Sequence, residues 1–301
     1  MNDLRVQTGF SQPAMKPIHV ALAVLVAAIW GVAFVVSKLG LQSFTPPQLT
    51  ALRFTIAGSA AIWFPRPNIP LRTLIAIGLT LFTGQFLLQF FGISCGMPAG
   101  LTAVVSQTQA LFTVFLAAVF IHDRPSARQM SGMLVAFVGL FVIGLTIGGS
   151  VTFLGFSLTL ASATSWAVGN ILLKRLSKVE MLHLIAWASL VPPLPALAIS
   201  VAIDGPVELW SSLLHASWIG LAAPIYLGLV ASIFAYAIWG NLLQHYSTGA
   251  VAPFALLAPC VGVIASAIVF NEQFAPLRVV GVALMLFGLA IIVTQLKRPQ
   301  P

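Results

Sequence analysis

Ten apolar stretches follow one another along this chain, near 18–39, 47–64, 71–94, 99–121, 129–147, 152–174, 181–203, 217–243, 248–270 and 276–296. A helix that crosses a bilayer needs about 20 mostly apolar residues, and each stretch is close to that length. Turn-forming breaks separate them: Thr45-Pro46-Pro47, Pro65-Arg66-Pro67-Asn68, Gly96-Met97-Pro98, Asp123-Arg124-Pro125, Gly148-Gly149-Ser150 and Asp204-Gly205-Pro206. The pattern predicts an all-α integral membrane protein with ten transmembrane helices and short loops, the longest connection lying at about 204–216.

The pattern also repeats. Trp30 and Lys38 frame a segment that recurs 136 positions later between Trp166 and Lys174. Gly100, Ala103, Asp123, Gly132, Gly139 and Leu140 recur 149 positions later as Gly249, Ala252, Glu272, Gly281, Gly288 and Leu289. This predicts a tail at 1–17, a five-helix repeat at 18–147, a second at 152–296 and a tail at 297–301. Five is an odd number, so the second copy is expected to be inverted in the membrane. Charge agrees. With the N-terminus inside, the inner segments hold Arg5, Lys16, Arg66, Arg72, Arg124, Arg128, Lys174, Arg175, Lys178, Lys297 and Arg298. The outer side holds only Lys38, Arg53 and Arg278, which is the positive-inside bias with both termini cytoplasmic.

Composition names the solvent. Charged residues make up 7% of the chain against about 25% in soluble domains, and mean hydropathy is +1.03. The net charge of +8 sits in short loops. It therefore reads as topology, and no nucleic-acid partner is expected. Cys95 and Cys260 have no metal-ligand spacing and are expected as free thiols. No short apolar core with a small-residue cleavage site precedes the first stretch, so no signal peptide is expected.

The Trp30-Gly31-Val32-Ala33-Phe34 segment, the Pro46-Pro47-Gln48-Leu49-Thr50-Ala51-Leu52-Arg53-Phe54 run and the glycine pairs Gly132/Gly139 and Gly281/Gly288 resemble the EamA family of the drug/metabolite transporter superfamily. The resemblance covers roughly 18–296 and is nearest to its YddG-like exporters of aromatic and other hydrophobic amino acids. It implies a bacterial-type inner-membrane carrier, not an enzyme, with a central cavity that opens alternately to each side. Pro259 matches a proline of the family's ninth helix. In the first half Ala110 stands at the corresponding position, so no proline predicts a matching kink there.

The titratable residues narrow the chemistry. All six carboxylates and all five histidines lie in tails, loops or near helix ends. Proton-coupled carriers usually keep such groups mid-membrane, where they are costly. Their placement favours a facilitative carrier and disfavours cationic substrates. Sugar phosphates and nucleotide sugars call for clustered Lys or Arg at mid-depth, which is absent. The expected partner is a small neutral or zwitterionic substrate, without cofactor or metal. The oligomeric state is open, and a monomer is compatible. Competing readings are an exporter of another neutral metabolite, drug or nucleoside, and a non-transporting membrane scaffold.

Neutral polar and aromatic residues remain at mid-depth. The cavity candidates are Trp30, Phe34, Gln85, Gln89, Gln107, Gln109, Ser162, Trp166, Asn170, Tyr236 and Trp239. An unpartnered amide in hydrocarbon costs several kcal/mol, so these side chains are expected to face other helices or a wet cavity. Lys38 and Arg53 are candidates for a gate or for a substrate carboxylate. The alternative for Arg53 is a side chain that snorkels to the surface or binds a helix end. Pro253 and Pro259 are candidates for a helix kink whose freed carbonyls line the cavity, the alternative being a packed kink. The paired glycines are expected at close helix contacts, either between the two halves or on a dimer face.

Overall fold

The computed structural model describes residues 15–120, 122, 126–145, 151–176, 179–246, 248–273 and 275–293. Most of the two expected tails, together with Asp123, Arg124 and Pro125, lies outside the described residues. The regular elements among the described residues are helices joined by short connections. Its rods are α1 Pro17–Gly40, α2 Pro46–Ser59, α3 Leu71–Ser94, α4 Ala99–Phe120, α5 Ala127–Gly144, α6 Phe153–Lys174, α7 Met181–Ile203, α8 Glu208–His215, α9 Trp218–His245, α10 Leu257–Phe270 and α11 Pro276–Val293. A 3-10 turn, Ala60–Ile62, extends α2, and another, Ala252–Leu256, leads into α10. Seven rods are long and apolar enough to cross a membrane, and α5 and α11 are shorter apolar helices.

Local chemistry sets the ends. Proline opens α1, α2 and α11, where its missing N–H has no helical partner to lose. At α5 the Gln129 N–H donates to Ser126 Oγ at 3.3 Å while the Ser126 N–H donates to Gln129 Oε1 at 2.8 Å, a reciprocal capping box. Thr152 and Ser217 cap α6 and α9 in the same sense, through the Gly155 and Gly220 N–H groups.

Large apolar side chains face outward, and a set of polar ones is buried among the apolar core. Phe115, Phe141, Leu194, Ile268 and Phe287 are exposed, whereas Gln48, Arg53, Gln85, Gln89 and Ser162 are buried. Hydrocarbon solvent demands this arrangement. The paired glycines sit between α5 and α11 within one chain. A Cβ on Gly139 would run into the backbone of Met285 and the Gly281 carbonyl, and one on Gly288 into the backbone of Ala136 and the Gly132 carbonyl. Between the two alternatives for these glycines, the structure gives contact between the halves. Elsewhere Gly31 lets α1 approach Val261 and the Ala258 carbonyl on the α10 rod.

Several features differ from the hydropathy reading. A short amphipathic helix, α8, occupies the expected loop at 204–216. Helix α4 breaks at Ser106-Gln107, without any proline. Two rods contain π-helical segments, Gly78–Gly84 in α3 and Tyr226–Phe234 in α9. In each a hydroxyl donates to the carbonyl five residues back: Thr83 Oγ1 to Gly78 O at 3.1 Å, and Ser232 Oγ to Leu227 O at 2.8 Å. These two pairs lie 149 positions apart. Among the described residues Cys95 and Cys260 are free thiols, and no group of three or more metal-type ligands occurs.

Candidate functional site

A cavity of about 320 Å³ lies between α1, α2, α3, α4, α6, α7, α9 and the α10 rod, a size within the roughly 300–1,000 Å³ of small-molecule sites. One wall is aromatic. The Trp30 ring lies 5.2 Å from Tyr236 and 5.1 Å from Trp239, centroid to centroid. Its indole N–H donates to the Ala231 carbonyl at 3.0 Å, inside the π-helical part of α9. A hydrogen bond and two ring contacts thus hold Trp30 in one orientation. Phe34 and Trp166 also line the cavity.

The other wall carries amides. Gln85 Nε2 donates to Gln89 Oε1 at 3.0 Å. Asn170 Nδ2 bridges α6 to α4, donating to Gln109 Oε1 at 3.0 Å and Thr113 Oγ1 at 3.1 Å. Gln107 and Ser106 reach the cavity because α4 breaks at their positions. The 3-10 turn at Ala252–Leu256 contributes Ala255 to the lining, and the start of α10 contributes Ala258. Both positions lie between Pro253 and Pro259. A short helical segment, Thr248–Val251, runs directly into that turn, whose second residue is Pro253, and Pro259 is the third residue of α10, so the helical path changes character from α to 3-10 and back between the two prolines.

Arg53 is the one charged residue among the described residues that line the cavity. It does not snorkel, because its side chain is only 5% exposed. Its guanidinium lies 3.8 Å from the centroid of Phe86 and 5.2 Å from that of Phe54, and Nη2 donates to Ser232 Oγ at 3.2 Å. Two other candidates lie elsewhere. Ser162 is completely buried within the bundle and does not line the cavity, although it shares a helical stripe with Trp166 and Asn170. The stripe is real, but the cavity ends before its first member. Lys38 points away from the cavity as well.

At the Lys38 end of α1 lies a second cavity of about 380 Å³, lined by Met97, Phe270, Glu272 and Arg278 among others. Lys38 Nζ contacts Glu272 Oε1 at 2.8 Å and lies 4.1 Å from the Phe270 ring centroid. The same carboxylate accepts the Ala99 N–H at 3.0 Å and the Gly100 N–H at 3.1 Å, at the N-terminus of α4. Burial alone would push the Glu272 carboxyl up, but Lys38 and the Gly100 N–H outweigh it and hold the group below its ordinary value.

Sequence reasoning missed part of the lining. Phe82 and Phe86 on α3 and Met181, Leu184 and Ile185 on α7 are apolar and face the cavity. Nothing in their residue types separates them from lipid-facing neighbours.

A helical bundle with an apolar exterior, enclosing a cavity lined by aromatic rings and amides, fits the class of multi-pass membrane transporters. The chain belongs to the EamA-like transporter family, whose model matches twice, over residues 17–145 and 153–294. It is 39% identical over 283 residues to a probable amino-acid metabolite efflux pump of Escherichia coli (strain K12), covering 92% of this chain and 95% of that protein. A Salmonella typhimurium pump of the same description is also 39% identical, covering 90% and 93%. A probable terminal-alkyne amino-acid exporter of Streptantibioticus cattleyicolor is 28% identical, covering 89% and 91%. A solved crystal structure matches with a TM-score of 0.60 at 16% identity over 92% of this chain and 96% of that one, which supports the fold alone.

Proposed function

We propose that this protein exports aromatic and other hydrophobic neutral amino acids across a bacterial inner membrane. The carrying observation is the cavity. Trp30, Phe34, Trp166, Tyr236 and Trp239 offer ring surfaces, while Gln85, Gln89, Gln107, Gln109 and Asn170 offer neutral hydrogen-bonding groups. An apolar side chain packs on such rings, and a polar head group meets the amides. The names of the relatives above, amino-acid efflux pumps and exporters, point the same way.

In this reading the chain crosses the bilayer ten times, with α2, α5 and α11 as the shorter spans and both termini in the cytoplasm. Its halves, 18–147 and 152–296, are inverted repeats. The hydroxyl-backed π segments 149 positions apart and the two interruptions at 106–107 and 252–256 support that symmetry. Transport is facilitative and works by alternating access. No carboxylate or histidine among the described residues lines the cavity to carry a coupled proton.

Counterflow in proteoliposomes tests the reading. Labelled phenylalanine or tryptophan should exchange in a protein-dependent way, at a rate indifferent to an imposed pH gradient. Absence of exchange refutes the substrate class, and strict dependence on the gradient refutes the facilitative mechanism.

A further inference from the structure

We propose that Arg53 and Gln85 form a two-point clamp for a zwitterionic α-amino-acid head group, with carboxylate on Arg53 and ammonium on Gln85. The inference rests on the amino-acid reading above and specifies which atoms of the substrate that reading leaves undefined.

The clamp follows from two vacancies in hydrogen bonding. Among the described residues Arg53 Nε is buried without a hydrogen-bond partner, and no carboxylate pairs with this guanidinium. Among the described residues the Ser232 hydroxyl and two ring faces contact it, and the Tyr236 phenol lies near enough to interact with its charge without forming a hydrogen bond or ion pair to it. An uncompensated cation inside a membrane protein is costly and calls for an anion. Gln85, 1% exposed, has the opposite need. Its Nε2 is committed to Gln89, and its Oε1 is a buried acceptor with no donor among the described residues. The guanidinium sits over the ring of Phe86, the neighbour of Gln85 in sequence. Both side chains line the same cavity, one offering an unmet donor with positive charge and the other an unmet acceptor.

A carboxylate supplies what Arg53 lacks. An ammonium supplies what Gln85 lacks, and an α-amino acid carries both on one carbon. The carboxylate should dominate, because it alone neutralises a formal charge. Cations without a carboxylate, such as simple amines, should be rejected.

The test compares three phenyl probes on the purified full-length protein, by thermal shift and by inhibition of labelled phenylalanine counterflow. These are phenylalanine, 3-phenylpropionate (no ammonium) and 2-phenylethylamine (no carboxylate). Phenylalanine should bind about tenfold more tightly than 3-phenylpropionate, and the amine more weakly still. In Gln85→Leu the advantage of phenylalanine over 3-phenylpropionate should vanish while binding of 3-phenylpropionate persists. Arg53→Gln should lose both carboxylates, and Arg53→Lys should recover part of that binding. A merely structural role for Gln85 would weaken both carboxylates alike, and that result overturns the clamp. An amine that competes as well as phenylalanine overturns the clamp alone and leaves the amino-acid reading standing. Absence of binding by every probe overturns both.

Discussion

Glu272 closes on Lys38 at 2.8 Å while its carboxylate also receives the first N–H groups of α4, so one side chain ties together the end of α1, the start of α4 and the segment after α10. The N-terminal end of a helix favours an anion, and a carboxylate that accepts backbone N–H groups acts as a cap. Replacing Glu272 by Ala should therefore cost about 1–2 kcal/mol, and by Gln less, since the amide oxygen still accepts. Thermal unfolding in detergent measures this. Equal midpoints for wild type and the Ala variant would refute the tie.

The same carboxyl gives a pH signature. Its folded value lies below the ordinary 4.5, so the protonated form is disfavoured by folding. Its contribution is then complete above about pH 4.5 and is lost as pH falls through the folded value. The unfolding midpoint of wild type should approach that of Glu272→Gln as pH is lowered from 6 to 3, and the gap between them should be constant from 6 to 8. Parallel curves throughout would show that Glu272 gains nothing from Lys38 and α4.

The inward orientation of the polar residues is legible in the sequence, for one physical reason. In lipid, a polar side chain must face inward, so mid-depth amides such as Gln85, Gln109 and Asn170 report their own orientation. Features that leave hydropathy unchanged were hidden. A π segment adds a residue to a turn without altering composition, and the Ser106-Gln107 break carries neither Gly nor Pro. The α7 lining, Met181, Leu184 and Ile185, is as apolar as any lipid face. The Lys38–Glu272 pair joins residues 234 positions apart, a distance no local pattern spans. Ser162 failed in the other direction, because helical periodicity fixes a face but not how far along that face a cavity extends.

Glycine substitutions should separate sharply by position. At Gly288 a new Cβ would strike backbone atoms of α5, which cannot rotate away. Gly288→Ala should cost about 1–3 kcal/mol through overpacking of α5 against α11. At Gly240, in the last turns of α9, the nearest atom to a new Cβ is 3.9 Å away. Gly240→Ala should be stabilising by about 0.5–1 kcal/mol through helix propensity. Unfolding midpoints that move the same way in both variants would contradict the packing.

Thr83 and Ser232 hold equivalent π segments, but only Ser232 has a second duty, since its oxygen also accepts from Arg53 Nη2 at 3.2 Å. Thr83→Val removes one donor from a buried carbonyl and should cost about 1 kcal/mol. Ser232→Ala removes the same kind of donor and also strips the guanidinium of its one hydrogen-bond acceptor among the described residues. Bonds to charged groups are stronger than neutral ones, so its cost should be about twice as large. The functional effects should diverge further. Thr83 does not line the cavity, and its loss should leave phenylalanine exchange within about twofold of wild type. Loss of Ser232 frees Arg53 to shift within the cavity, and exchange should fall by about tenfold. If the two variants lose stability and exchange equally, Ser232 serves only its own helix, and the guanidinium is positioned by the rings of Phe54 and Phe86 alone.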